Sequence, residues 1–257
     1  MIFKIKCFIF YFSLLNVIYS QQEETKSTGV YNVEDGVMST TQSEETEQLQ
    51  GYPQASEINS RAISLYNDAT ELIYKKPDLA ISNFKEAIEI EPKFVQAIDN
   101  LGKVYRIIEE YDLAEKTYKK SIAIFPNGPS AHLNLALVYR IQKKYQNAIQ
   151  EYKMGISCAP NSPEGYYGIA QVYLYFLNDN KLAKKYAYEA LSLYERNPPN
   201  YIGDSYVLIG FCHYYSSEYE LAKKYIEKAR KSYIENDLEY VFKDVVPNEI
   251  LEKLSIK

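Results

Sequence analysis

Tryptophan is absent from the 257 residues, histidine occurs twice, cysteine three times, and glycine and proline ten times each. These scarcities narrow the function. No Cys/His cluster has metal-ligand spacing, so neither a metal site nor a cofactor is expected. The glycines form no phosphate-cradling loop, and there is no nucleophile elbow or His-Glu zinc helix. None of the 16 asparagines begins an Asn-x-Ser/Thr site, which removes support for surface glycosylation. Against these absences stand 27 tyrosines. Lys, Ile and Asn are also common, a bias of AT-rich genomes, so aromatic number alone carries little weight.

Lys4 and Lys6 precede an apolar run from Cys7 to Ile18, and Ser20 is a small residue before Gln21. That is the layout of a secretory signal peptide over residues 1–20, and the run is short for a membrane span of about 20 residues. Cys7 opens the run directly after Lys6, rather than closing an apolar-to-small stretch, and is no lipid-attachment site. An exported protein, periplasmic or secreted, with no stable membrane span after cleavage is the expectation. Residues 21–55 then hold seven acidic side chains against the single Lys26. Such a stretch cannot bury enough apolar surface to offset its ordering, and reads as a disordered acidic leader. Without the leader and the signal, the overall charge of −5 becomes about −1. A nearly neutral body argues against a nucleic-acid partner.

Ile98, Leu101, Gly102, Tyr105, Ala114, Tyr118, Ser121 and Pro126 recur as His132, Leu135, Ala136, Tyr139, Ala148, Tyr152, Gly155 and Pro160, each 34 residues on. Large falls on large, small on small, and Pro on Pro. The small residues let two helices approach and the aromatics fill the space between them, while each Pro stops the second helix. Even the connectors repeat, Pro126-Asn127-Gly128-Pro129 becoming Pro160-Asn161-Ser162-Pro163. Weaker copies flank these two. Upstream, Ala80, Phe84, Ala87 and Pro92 fit a second helix, while Leu65, Ala69 and Leu72 fit the first only if the turn at Lys75-Lys76-Pro77 is one residue short. Downstream, Tyr166, Ile169, Ala170 and Tyr173 are in phase, but Ala183 and Ala190 lie one residue late, so an insertion falls at 177–181. A fifth copy uses Tyr206, Ile209, Gly210, Ala222, Ile226 and Ala229. Arg196-Asn197-Pro198-Pro199-Asn200 interrupts the series, as a tolerated loop or a hinge.

The pattern resembles the tetratricopeptide repeat family. It implies an all-α fold: a right-handed α-solenoid of about five helix-turn-helix repeats over 56–235, with a C-terminal capping segment over 236–257 in which Pro247–Leu254 forms a short helix. His132 and His213 fall on core positions, and catalysis finds no foothold. Cys158 and Cys212 fall on elements a whole repeat apart, beyond the ~7 Å that a disulfide spans, so two free thiols are expected.

What the resemblance implies is recognition of a protein or extended peptide in a concave groove lined by the first helices. Its groove positions correspond here to Asp99, Asn100, Lys103 and Arg106, then Asn134, Leu137 and Arg140, then Tyr167, Gln171 and Leu174, then Val207, Phe211, Tyr214 and Tyr215. The earlier positions are polar and basic, the later ones aromatic. Asn can hold a peptide backbone through donor and acceptor together, and Lys and Arg suit a carboxylate. Family members that clamp a terminal carboxylate are matched in kind by Asn100 and Asn134, but Asp99 and Leu133 depart from their set. A looser peptide groove therefore fits better. Three functions follow: a non-catalytic exported scaffold or adaptor, an accessory subunit of an envelope enzyme or secretion assembly, and glycan or peptide capture by the aromatic half. Oligomeric state is left open by the sequence.

Overall fold

The computed structural model describes residues 31–34, 37–40, 58–196 and 202–256. Among these residues twelve α-helices follow one another: α1 (Ser60–Leu72), α2 (Pro77–Ile90), α3 (Val95–Ile107), α4 (Tyr111–Ile124), α5 (Pro129–Ile141), α6 (Tyr145–Cys158), α7 (Glu164–Val172), α8 (Asn180–Tyr194), α9 (Ile202–Tyr215), α10 (Tyr219–Glu235), α11 (Glu239–Val245) and α12 (Asn248–Lys253). None is long and apolar enough to cross a membrane. The chain divides between Gln142 and Lys143 into two compact bodies.

In the first body α1 packs on α2 and α3 on α4, and each pair touches the next helix in sequence. Apolar spacing makes this possible. Ala80, Phe84 and Ala87 lie four and three residues apart, on one stripe of α2, and all are fully buried. Ala114, Tyr118 and Ser121 repeat that stripe on α4. Pro77 and Pro129 stand in the first turns of α2 and α5, where a missing N–H costs nothing. The turn after α3 places Glu109 in the left-handed region at φ 65°, and the Glu110 N–H reaches back to the Tyr105 carbonyl at 2.8 Å. This closes the helix with a Schellman-type bond. The shorter turn after α1 has no left-handed residue, and it is there that the sequence lacks one residue.

Before α1, residues Tyr31–Glu34 (β1) pair antiparallel with Val37–Thr40 (β2), Tyr31 opposite Thr40 and Glu34 opposite Val37. This hairpin falls inside the segment that composition marked as a disordered leader. The Asp35-Gly36 dipeptide between the two strands is a strong sequence signal for a tight hairpin, and a reading of composition alone passes over it. The remainder of the leader, the signal segment and residues 197–201 lie outside the described residues.

In the second body α6 packs on α7, α7 on α8, α8 on α9 and α9 on α10. The extra residue expected near 177–181 is accommodated inside the helix. After Val172 the chain widens into a π-helical turn, Tyr173–Leu177, which ends at Asn178 with φ 54°. A π turn takes up one residue more than an α turn, so Ala183, Ala187 and Ala190 still reach the core. The expected C-terminal helix is present as α12, with Ile250 and Leu254 buried, and α11 precedes it as an additional short helix packed on α10.

Small residues set the helix spacing. A Cβ on Gly102 would stand 2.8 Å from Cε1 of the fully buried Tyr118, and a Cβ on Gly168 would overlap the ring of Tyr152. Gly168→Ala is therefore expected to lower the unfolding free energy by about 1–3 kcal/mol through overpacking. Urea titration followed by circular dichroism checks this, and an unchanged midpoint would contradict the packing described.

Candidate functional site

Asp99, Lys103 and Arg106 lie four and three residues apart and so share one face of α3. Among the described residues of the first body they are the most buried Asp, Glu, Lys or Arg side chains, at 9, 7 and 7 % exposure. The Lys103 ammonium lies over the Tyr74 ring, 5.6 Å from its centre. The buried Nε of Arg106 has no hydrogen-bond partner. Asn100 donates from Nδ2 to the Tyr66 hydroxyl of α1 at 3.0 Å, tying neighbouring first helices together. On α5, Asn134 donates to the Ser130 carbonyl of its own helix at 3.0 Å, and Leu137 and Arg140 are half-buried. Both amides expected to hold a peptide backbone thus spend a donor within the fold.

The aromatic residues of the second body are divided. Phe211, Tyr214 and Tyr215 come together on α9, with centroids 6.4 Å apart for Phe211–Tyr215 and 5.5 Å for Tyr214–Tyr215. Tyr219 joins them at 5.7 Å from Tyr214 and carries Lys253 over its ring, a member that the repeat pattern did not single out. Tyr167 packs edge-on against Tyr194 at 6.4 Å, and Gln171 is buried on the same helix.

The two histidines are buried, as their core positions implied. His132 bonds the Pro126 carbonyl through Nε2 at 3.1 Å. His213 sits between two partners: Nδ1 faces the Glu218 carboxylate, and Nε2 lies 2.7 Å from the Tyr188 hydroxyl. Glu218 also binds Lys184 at 2.6 Å, and hydrogen bonds from Lys184 and His213 hold its carboxyl below the usual glutamate value. Neither Cys158 nor Cys212 forms a disulfide. Burial pushes the Cys212 thiol up to about 12, which leaves it protonated and unreactive. Among the described residues no group of three or more His, Cys, Asp or Glu side chains is placed to hold a metal ion.

Two sequence profiles of the tetratricopeptide repeat match the chain, one over residues 117–150 and the other over 95–127 and 163–197. Residues 95–150 and 163–197 are thus tetratricopeptide repeats. No curated protein matches it in sequence. Solved structures share its fold. MamA from Desulfovibrio magneticus RS-1 is 17 % identical, with a TM-score of 0.57 over 72 % of this chain and 98 % of that one. PilF of Pseudomonas aeruginosa is 19 % identical, with a TM-score of 0.59 over 77 % and 98 %. A thermophilic tetratricopeptide repeat protein from Thermus thermophilus is 16 % identical, with a TM-score of 0.56 over 72 % and 98 %.

One further residue, on α9, stands out only in three dimensions. Asp204, half-buried in the first turn of α9, accepts a hydrogen bond from the Tyr233 hydroxyl of α10. Loss of water around its carboxyl lifts it from 3.8 to about 6, and the Tyr233 bond offsets only part of that rise. A carboxylate raised in the folded state favours folding fully below its unfolded value, and that contribution is lost as pH climbs through the folded value. Asp204→Asn should therefore stabilise the protein by about 1–2 kcal/mol at pH 7.5 and have no effect near pH 3.5. Urea midpoints of both proteins across pH 3.5–7.5 test this; a pH-independent difference would count against a desolvated, ionised Asp204.

Proposed function

We propose that this tetratricopeptide repeat protein is a non-catalytic, exported scaffold that holds a peptide or partner segment against the first helices of its repeats. Tetratricopeptide repeats are in general protein-binding scaffolds without catalytic activity. The observation that carries the reading is the face of α3, where Asp99, Lys103 and Arg106 gather three charges at low exposure and the Arg106 Nε–H has no acceptor. A buried guanidinium with an unmet donor is favourable only beside an acceptor, and a carboxylate or backbone carbonyl of a bound segment supplies one. Export rests on the basic residues and apolar run at 4–18.

A second reading is favoured by the ring cluster of Phe211, Tyr214, Tyr215 and Tyr219, which includes the exposed Tyr215 and Tyr219. Such rings would stack on a glycan or peptide.

Affinity capture from the native envelope fraction, by the chain from Gln21 onward and by its Lys103→Glu/Arg106→Glu variant, separates the two readings. The first expects a stoichiometric partner whose recovery falls at least tenfold in the variant, with helical content unchanged by circular dichroism. Equal recovery by both proteins would remove the α3 face from the function.

A further inference from the structure

We propose that Tyr188 is an oxidation site, at which a one-electron oxidant takes an electron from the phenol while the phenolic proton passes to His213. The site is independent of the scaffold reading and lies wholly within the second body. Tyr188, on α8, is 37 % exposed, and its hydroxyl lies 2.7 Å from Nε2 of His213 on α9. The other ring nitrogen, Nδ1, faces the carboxylate of Glu218 in the turn before α10. Hydrogen bonds from Lys184 and His213 hold that carboxyl below the usual glutamate value, so it is ionised and can only accept. In the neutral imidazole Nδ1 therefore carries the hydrogen, and Nε2 turns its lone pair to the phenol. Phenol and imidazole are thus set as donor and acceptor at a short distance.

A phenol that loses one electron becomes a strong acid, so its oxidation is easiest where a base stands ready for the proton. The step balances. The electron goes to a soluble radical oxidant of the carbonate radical class, which becomes carbonate. The O–H bond of Tyr188 breaks, an N–H bond forms at Nε2, and a neutral phenoxyl radical and an imidazolium result. That imidazolium is met by Glu218, whose charge is shared with Lys184 at 2.6 Å. Tyr225 on α10 stacks on the His213 ring with centroids 5.6 Å apart and meets Tyr188 edge-on at 5.9 Å, which holds both rings in place. Loss of water around the Tyr188 hydroxyl lifts it above the usual tyrosine value, so the proton leaves only when the electron does.

Other tyrosines meet one of these conditions and lack another. Tyr139 and Tyr206 face carboxylates, weaker bases than an imidazole, at the longer distance of 3.3 Å. The Tyr233 hydroxyl meets Asp204, but Tyr233 is only 1 % exposed. Tyr240 is 60 % exposed and makes no hydrogen bond among the described residues. Exposure and a nearby strong base come together at Tyr188.

The test is flash photo-oxidation of the full chain by photogenerated tris(bipyridyl)ruthenium, with nitroso-tert-butane as spin trap and peptide mass spectrometry to place each trapped radical. Were exposure alone decisive, Tyr240 would be trapped most. Tyr188 is instead expected to exceed Tyr240 by about tenfold, the worth of one charge-assisted hydrogen bond. His213→Phe keeps a ring for Tyr225 to stack on and removes the base; it should bring Tyr188 down to the level of Tyr240 with helical content unchanged. Glu218→Gln removes the charge that steadies the imidazolium, and should lower trapping at Tyr188 without altering Tyr240. In deuterated buffer trapping at Tyr188 should slow in the wild-type protein and not in His213→Phe. Trapping at Tyr240 equal to or above that at Tyr188 in the wild-type protein would overturn the proposal, as would wild-type trapping of Tyr188 in a folded His213→Phe variant. Should His213→Phe fail to fold, the wild-type ranking and Glu218→Gln decide, and unchanged trapping of Tyr188 in Glu218→Gln would then overturn it.

Discussion

Everything in this fold depends on how closely two helices can approach. Apart from the β1–β2 hairpin the described elements are helices, so their spacing relies on side chains and is set where a large ring meets a residue with little or no side chain. Tyr118 on α4 lies against Gly102 of α3, and Tyr152 on α6 lies against Gly168 of α7. Both tyrosines are buried almost completely, so each ring has given up water along its whole length and depends on the opposing backbone for its contacts. The abundance of tyrosine beside the absence of tryptophan fits this use. A single phenyl ring enters the gap left by a glycine or alanine.

The turns supply the second constraint. Glu109, Lys143, Asn178 and Ser217 each adopt a positive φ after a first helix, and none of them is glycine. Closing a helix with a residue that bears a Cβ costs about 1 kcal/mol relative to glycine. The bond from the Glu110 N–H to the Tyr105 carbonyl and its counterpart from Glu218 to His213 offset that cost, and they direct the second helix back along the first.

Much of this architecture was legible because it is periodic. The recurrence of small, large and Pro residues every 34 positions identified the helices from α3 to α6, and phase shifts located both the short first turn and the residue inserted near 177–181. A phase shift says that a residue has been added, but not whether a loop or a helix takes it up, and here a π turn does. The hairpin at 31–40 carries its own local signal in Asp35-Gly36, which composition dilutes within an acidic segment. Site residues were less legible. Family register named Asn100 as a peptide contact without foreseeing that Tyr66 would take its donor. Asp204 was passed over because a single acidic residue at the start of a helix reads as an ordinary favourable dipole contact. Only its loss of water and the Tyr233 bond separate it from that default.

The π-helical turn at Tyr173–Leu177 has a consequence for how such chains change over time. In a regular α-helix an added residue turns everything beyond it by about 100°, which would swing the next helix's apolar stripe out of the core. Here the wider turn confines the rotation to five residues, and Ala183, Ala187 and Ala190 keep their places. A length change that would ordinarily be purged can therefore persist, with the buried stripe of α8 kept in place. The difference from a regular helix is confined to the five residues of the widened turn, Tyr175 among them. Insertion at such a point is a route by which one copy in a uniform array acquires a surface of its own.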